Sequence, residues 1–281
     1  MRTKAANNTL FWEISGNGLK KPSYVFGTYH NADKGFVDTM LIVKSKLAAA
    51  DAIVGEILLD GTDTSLNDKI AQYTFLKGTT LDKLLTTEEY NLVADFLKKA
   101  TSYDIKMFNL FTPAAIMAMV SPQLAPKTFT KENPMIDQSF QDYARANNKR
   151  IFGFATADAQ AKVVYDVSLE IQKRNLLKSA TNWEKLKDQN SKMYSLYISQ
   201  NLTEMEKMFS PNEDNTQEDI DKLLKNRNLN WLGQLPEMME GRSLFIAVGA
   251  AHLFGNTGMI KGLRARGYKV KPIQTTGEKL Q

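Results

Sequence analysis

The sequence predicts an α/β protein whose central mixed, mainly parallel sheet is built from two related β-GxxH-α-β halves, with a helical insertion between them. Three observations carry that expectation. First, the only two histidines in 281 residues, His30 and His252, each stand three places after a glycine, in FGTYH (26–30) and VGAAH (248–252). With glycine at about 7% of an average sequence, the same offset at both histidines would arise in roughly one chain in 200. Second, each motif follows a short apolar run and precedes a helix-period segment and another apolar run, the alternation of an α/β unit. Third, both histidines then fall at strand carboxyl ends, where open α/β sheets place their ligand sites.

The elements follow in order. Residues 10–16 and 24–26 are apolar or alternating around GNGLKKP, which reads as a β-hairpin leading into the first corner. FVDTMLIVKSKLAAAD places Phe36, Met40, Val43 and Leu47 at helical spacing, and AIVGEILLD is a short buried strand carrying Glu56. Thr112 and Pro113 open TPAAIMAMV as N-cap and first helical residue. PMIDQSFQDYARANNKRIFGF gives a helix and then a strand. Residues 157–209 read as a long helical stretch, and SPNEDNT (210–216) as a polar loop before a helix that starts in a capping-box manner at Thr216 and Asp219. The closing half is a strand in SLFIAVGAAH, a short helix in GMIKGLRARG stopped by Gly267, and a strand in YKVKPI. One large domain spanning 1–281 is expected, with the insertion at roughly 157–240.

Composition narrows the function. The formal charge is 36 − 31 = +5, but the lysines alternate with acidic residues and form no basic stripe with interleaved aromatics, so nucleic acid is not an expected partner. No apolar run approaches the ~20 residues of a membrane helix, and the first fifteen residues hold no apolar core of a secretion signal. The absence of cysteine excludes disulfides, thiolate metal ligands and thiol nucleophiles, and fits either an oxidising or a reducing compartment. No HExxH, GxSxG, P-loop or GxGxxG is present.

Several residues stand out for their chemistry. A glycine three places before a histidine lets the backbone turn sharply at a strand end, and imidazole is the commonest side-chain metal ligand. His30 and His252 with one carboxylate would make a three-ligand site with an open position for water; taken singly, each reads as a satisfied core or loop histidine, and it is the shared offset and strand context that favour the site. Glu56 is the candidate carboxylate, since it interrupts an apolar strand where an unpartnered charge is costly; the alternative is a half-exposed strand with Glu56 in solvent. Ile220, Leu224, Arg227 and Trp231 follow a 4, 3, 4 spacing that lays Arg227 on the apolar face of its helix. Its partner is either a structural carboxylate or a substrate's carboxylate or oxyanion. Asp137 shares a stripe with Phe140 and Ala144, so it either faces inward or serves as a carboxylate at a helix N-terminus.

These stretches together resemble a known family. LFWEISGNGLKKPSYVFGTYH resembles the opening of the TraB/GumN family, which includes the animal Tiki proteins, and VGAAHLFGNTGMIKGLRARGYKVKPI is similar to its closing motif. VGEI, MIDQSFQDYARANNKRIFGF and LLKNRNLNW fall between them in the family's order. The resemblance implies an α/β fold of related halves and a metal-dependent hydrolase, a peptidase acting on a peptide or protein substrate as attributed to Tiki proteins. Carried over, His30, His252 and Glu56 hold a divalent ion of the manganese, cobalt or zinc class that activates water, and Arg227 and Asn228 stabilise the oxyanion. Bacterial relatives often carry an export signal, which implies the periplasm or cell envelope. One departure matters: where the family commonly reads GLET or GFET, this chain has Gly153, Phe154, Ala155 and Thr156, so Ala155 replaces an expected glutamate. Two alternatives follow, a metal-independent hydrolase using a histidine base with Glu56, and a non-catalytic protein binding iron, haem or a peptide.

Overall fold

The computed structural model describes residues 8–59, 71–124, 129–165, 167–211 and 216–275. The chain divides into two compact units, Met1–Leu59 with Lys127–Ala155 and Met193–Gln281, and Asp60–Pro126 with Thr156–Lys192.

The first unit holds strands β1 (Phe11–Ser15), β2 (Ser23–Thr28), β3 (Ala52–Ile57), β4 (Arg150–Ala155), β5 (Leu244–Gly249) and β6 (Lys269–Ile273) in one sheet of order β4-β3-β5-β2-β1-β6. β2 pairs parallel with β5, and β3 parallel with β5 and β4, while β1 lies antiparallel between β2 and β6. Only β1 therefore runs against the rest, as the expected hairpin requires. The central strands SYVFGT and LFIAVG are buried almost throughout, the near-continuous apolar runs of strands covered on both faces. KVKPI at the edge alternates wet and dry and tolerates Pro272 there. The two GxxH halves interlock, because β2 and β5 lie side by side and each half's second strand crosses over the other's first.

The helices of this unit include α1 (Lys34–Asp38), α2 (Leu41–Ala49), α3 (Ile136–Ala146), α4 (Leu202–Met208), α5 (Asn226–Met239) and α6 (Met259–Ala265). The single helix expected through Phe36–Leu47 is two. Thr39 bonds back to the Phe36 carbonyl and the Met40 amide to that of Val37, closing α1 before α2 begins, an alternative that Thr offers the backbone. Phe11, Phe26, Phe140 and Phe245 form an aromatic cluster that fixes α3 to the sheet, with Phe140 and Phe245 ring centres 4.9 Å apart. A π-helical turn, Asp221–Lys225, precedes α5, so the expected phase from Ile220 and Leu224 to Arg227 passes through a wider turn, and only Arg227 and Trp231 share regular α-helix.

The second unit has a helical core of its own, in which Leu81, Val93, Phe96, Leu97, Ile116 and Leu176 are buried. Thr86 and Glu89 make a reciprocal capping box for the helix Thr87–Thr101, and Thr112 caps the Pro113–Val120 helix by accepting from the Ala115 amide, as expected. The boundaries differ from an insertion over 157–240. Residues 193–240 belong to the first unit, since Leu202, Met205, Trp231 and Leu235 pack into the core beside the sheet. The expected loop at 210–216 and the capping role of Asp219 lie partly or wholly outside the described residues and side chains. Among the described residues no helix is long and apolar enough to cross a membrane.

Candidate functional site

The carboxyl ends of four parallel strands carry the candidates: Thr28 at the end of β2 with His30 just beyond it, Glu56 in β3, Ala155 at the end of β4, and Gly249 at the end of β5 with His252 just beyond it. The glycines of the two motifs explain how the corners meet. A Cβ on Gly27 would come within 2.7 Å of Leu253 Cδ1 and 3.0 Å of Ala250 Cα, so the first glycine admits the backbone of the second corner. A Cβ on Gly249 would stand 3.2 Å from Glu56 Oε1, and the Gly249 amide donates to that same oxygen at 2.7 Å.

Glu56, 9% exposed, is thereby the buried, partnered carboxylate that its apolar strand suggested. Its other oxygen accepts from Arg227 Nη2 at 2.5 Å. Arg227 Nη1 lies 3.2 Å from His252 Nε2, and a guanidinium only donates, so that nitrogen presents its lone pair. The other ring nitrogen is 2.7 Å from Asn228 Oδ1. Asn228 Nδ2 donates to the carbonyls of Thr257 at 2.9 Å and His252 at 3.3 Å, which fixes the amide and makes His252 Nδ1 the protonated nitrogen. Burial lowers the pKa of His252 to about 4, against the pull of Glu56 and with that of Arg227, so the ring is neutral near pH 7. For Glu56 burial would raise the pKa, but the Arg227 guanidinium and the Gly249 amide hold it below the ordinary value. With His252 neutral, the guanidinium and the amide are what keep it ionised.

His30 sits differently. Its side chain is 68% exposed, and its Nδ1 is 3.1 Å from Asp137 Oδ2, while Asp137 Oδ1 accepts from the Thr28 hydroxyl at 2.6 Å. The Asp137 carboxylate raises the His30 pKa above its ordinary value; water on the open face of the ring screens part of that rise. Glu56 and Arg227 also act on His30, and His30 on His252, which places both corners in one electrostatic neighbourhood.

Asp137 and Arg227 are each set by an aromatic anchor on their own helix. Phe140 packs against Phe26 and Phe245 and brings Asp137, one turn earlier in α3, over Thr28 and His30. Trp231 stacks on Phe154 with ring centres 5.0 Å apart and lies 4.3 Å from the His252 ring. It brings Arg227, one turn earlier in α5 and 4.7 Å over the indole, to Glu56. Both readings of Asp137 therefore hold, because it faces inward from the first turn of its helix.

The structure brings Glu56, His252, Arg227 and Asn228 into one hydrogen-bonded group with His30 at its rim. Ala155, opposite Ile57 in the register of β3 and β4, contributes no polar side chain. Thr28 and Trp231 were not singled out for a role at the site by sequence, and the GT of FGTYH beside the GA of VGAAH was the available signal for Thr28. With the side chains so placed, two of the three expected metal donors are already taken. Arg227 occupies Glu56 Oε2 and His252 Nε2, and among the described residues no three of His, Asp and Glu are grouped to hold an ion.

No curated protein matches the sequence. A family model matches residues 10–272, nearly the whole length, and by that match the chain belongs to the TraB/PrgY/gumN family.

Proposed function

We propose that this chain is a hydrolase of carbonyl substrates, with a peptide bond as the substrate class that the resemblance to Tiki-like peptidases favours. The observation that carries the reading is the Arg227 guanidinium, held between the Glu56 carboxylate and the neutral His252 imidazole at the strand ends, beside an exposed histidine. A preorganised positive charge stabilises the oxyanion that develops when water attacks a carbonyl, and an imidazole in its neutral form, which for His30 prevails above its raised pKa, is suited to take and return the proton. Glu56 anchors the guanidinium, and Asn228 acts through His252. The expected location in the cell envelope rests on the resemblance alone and remains part of this proposal.

A second reading keeps the divalent ion on His30, His252 and Glu56. One observation favours it: both imidazoles are tied through Nδ1, to Asp137 and Asn228, as ligating histidines are by their outer partners. Such an ion would supply Lewis-acid polarisation and an acidified water, after Arg227 had left two of the donors.

Cleavage of a mixed synthetic peptide library, followed by mass spectrometry, tests both. Cleavage that persists in chelator and is lost in His30→Ala and Arg227→Ala supports the first reading. Cleavage only after manganese or cobalt is added supports the second. No cleavage by the wild type under either condition overturns the hydrolase assignment.

A further inference from the structure

We propose that the two corner histidines do different work: His30, oriented by Asp137 and Thr28, transfers the proton, and His252 positions Arg227. The inference rests on the hydrolase reading and divides roles that the paired motifs make look equivalent.

Asp137 Oδ2 stands 3.1 Å from His30 Nδ1, and an ionised carboxylate only accepts, so Nδ1 carries the hydrogen. In the neutral ring the lone pair is then on Nε2, on a side chain that is 68% exposed and open to water. At His252 the lone pair is also on Nε2, but Arg227 donates to it at 3.2 Å, the residue is 3% exposed, and Trp231 lies against the ring. Water cannot reach that nitrogen without displacing the guanidinium. His252 is therefore a positioning residue, holding with Glu56 the one fixed positive charge of the group.

The sequence carries the same asymmetry. The place after the glycine is Thr28 in the first motif and Ala250 in the second. Only the first supplies a hydroxyl, and that hydroxyl, 1% exposed, donates to Asp137 Oδ1 at 2.6 Å. Held at both oxygens, Asp137 has little freedom to turn away from His30. The remaining charged groups acting on His30 are Glu56 and Arg227.

The chemistry balances with these groups alone. A water proton passes to His30 Nε2 as the water oxygen bonds to the carbonyl carbon, and the carbonyl π pair moves onto oxygen beside Arg227. When that oxyanion collapses, the carbon–nitrogen bond breaks and the leaving amine takes the proton back from His30 Nε2.

With two histidines in the chain, nitrogen-15 NMR of the histidine-labelled full-length protein resolves both rings, assigned with His30→Gln. The expected spectrum has Nδ1–H and an unprotonated Nε2 at His30 in its neutral form. Asp137→Asn should move the His30 hydrogen to Nε2 and lower peptide turnover about 10²–10⁴-fold, the scale of an orienting carboxylate changed to its amide, while the His252 signals stay in place. Thr28→Val, a milder change at the same contact, should lower turnover by about tenfold and serves as the test should Asp137→Asn fail to fold. A neutral His30 ring protonated at Nε2 in the wild type, or full turnover in both variants, overturns the assignment. The expected tautomers in a protein that cleaves no peptide would instead overturn the hydrolase reading beneath it.

Discussion

Arg227 reaches from the first turn of α5 to Glu56 on β3, donating to Oε2 at 2.5 Å, with the two side chains only 15% and 9% exposed. Removing one partner of such a pair leaves the other charge buried and uncompensated, which typically costs about 3–5 kcal/mol. Glu56→Gln should therefore destabilise the protein by about 3 kcal/mol in urea unfolding, since Gln still accepts from the Gly249 amide. The double variant Glu56→Gln, Arg227→Leu should recover part of that loss, because no orphaned charge remains. A single variant as stable as the wild type would mean that the pair is not formed.

The corner glycines should respond unequally. Gly27→Ala forces a methyl to within 2.7 Å of Leu253 and 3.0 Å of the Ala250 backbone, an overpacking expected to cost about 1–3 kcal/mol. Gly249→Ala meets Glu56 Oε1 at 3.2 Å with an ordinary negative φ, so the loss should be smaller and accompanied by a weakened hold on Glu56. Thermal unfolding of the two variants gives the order directly.

The depressed pKa of His252 predicts acid sensitivity. Unfolded, the ring titrates at the ordinary histidine value of 6.5, and folded at about 4. Between those values the unfolded chain holds a proton that the folded chain does not. The stability due to neutral His252 is thus complete above pH 6.5, falls as pH is lowered through this window, and is lost by about pH 4. The slope should approach about 1.4 kcal/mol per pH unit, and His252→Gln should flatten it. Urea unfolding across that range makes the comparison, and equal slopes would remove His252 from this role.

Asn228, 1% exposed, bonds to the His252 ring and to two backbone carbonyls. Asn228→Ala strands those groups, at a cost of about 1–3 kcal/mol for each one left without a partner or water. Asn228→Asp should raise the His252 pKa by placing a carboxylate against Nδ1, measurable in the same nitrogen-15 spectra.

The sheet was legible because its strands are short apolar runs punctuated by GxxH, and Glu56 because a carboxylate in such a run needs a partner. Asp137 was half legible: the stripe with Phe140 and Ala144 put it inward, but nothing local joined it to Thr28, 109 residues away. The spacing that pointed Arg227 inward held only for its contact with Trp231, since a π turn precedes it and i+4 counting fails there. What sequence could not show is the unlike treatment of two like motifs. It arises from tertiary packing, with Trp231 laid against the His252 ring and only the Asp137 carboxylate offered to an otherwise open His30.

Manganese binding by calorimetry to chelator-treated wild type, Arg227→Ala and His30→Ala decides whether the guanidinium or an ion occupies the site. If Arg227 fills the position between Glu56 and His252, the wild type binds no stoichiometric ion, and Arg227→Ala, with both donors released, binds one. One equivalent bound tightly by the wild type and lost in His30→Ala would contradict the account and make the paired corners a metal centre.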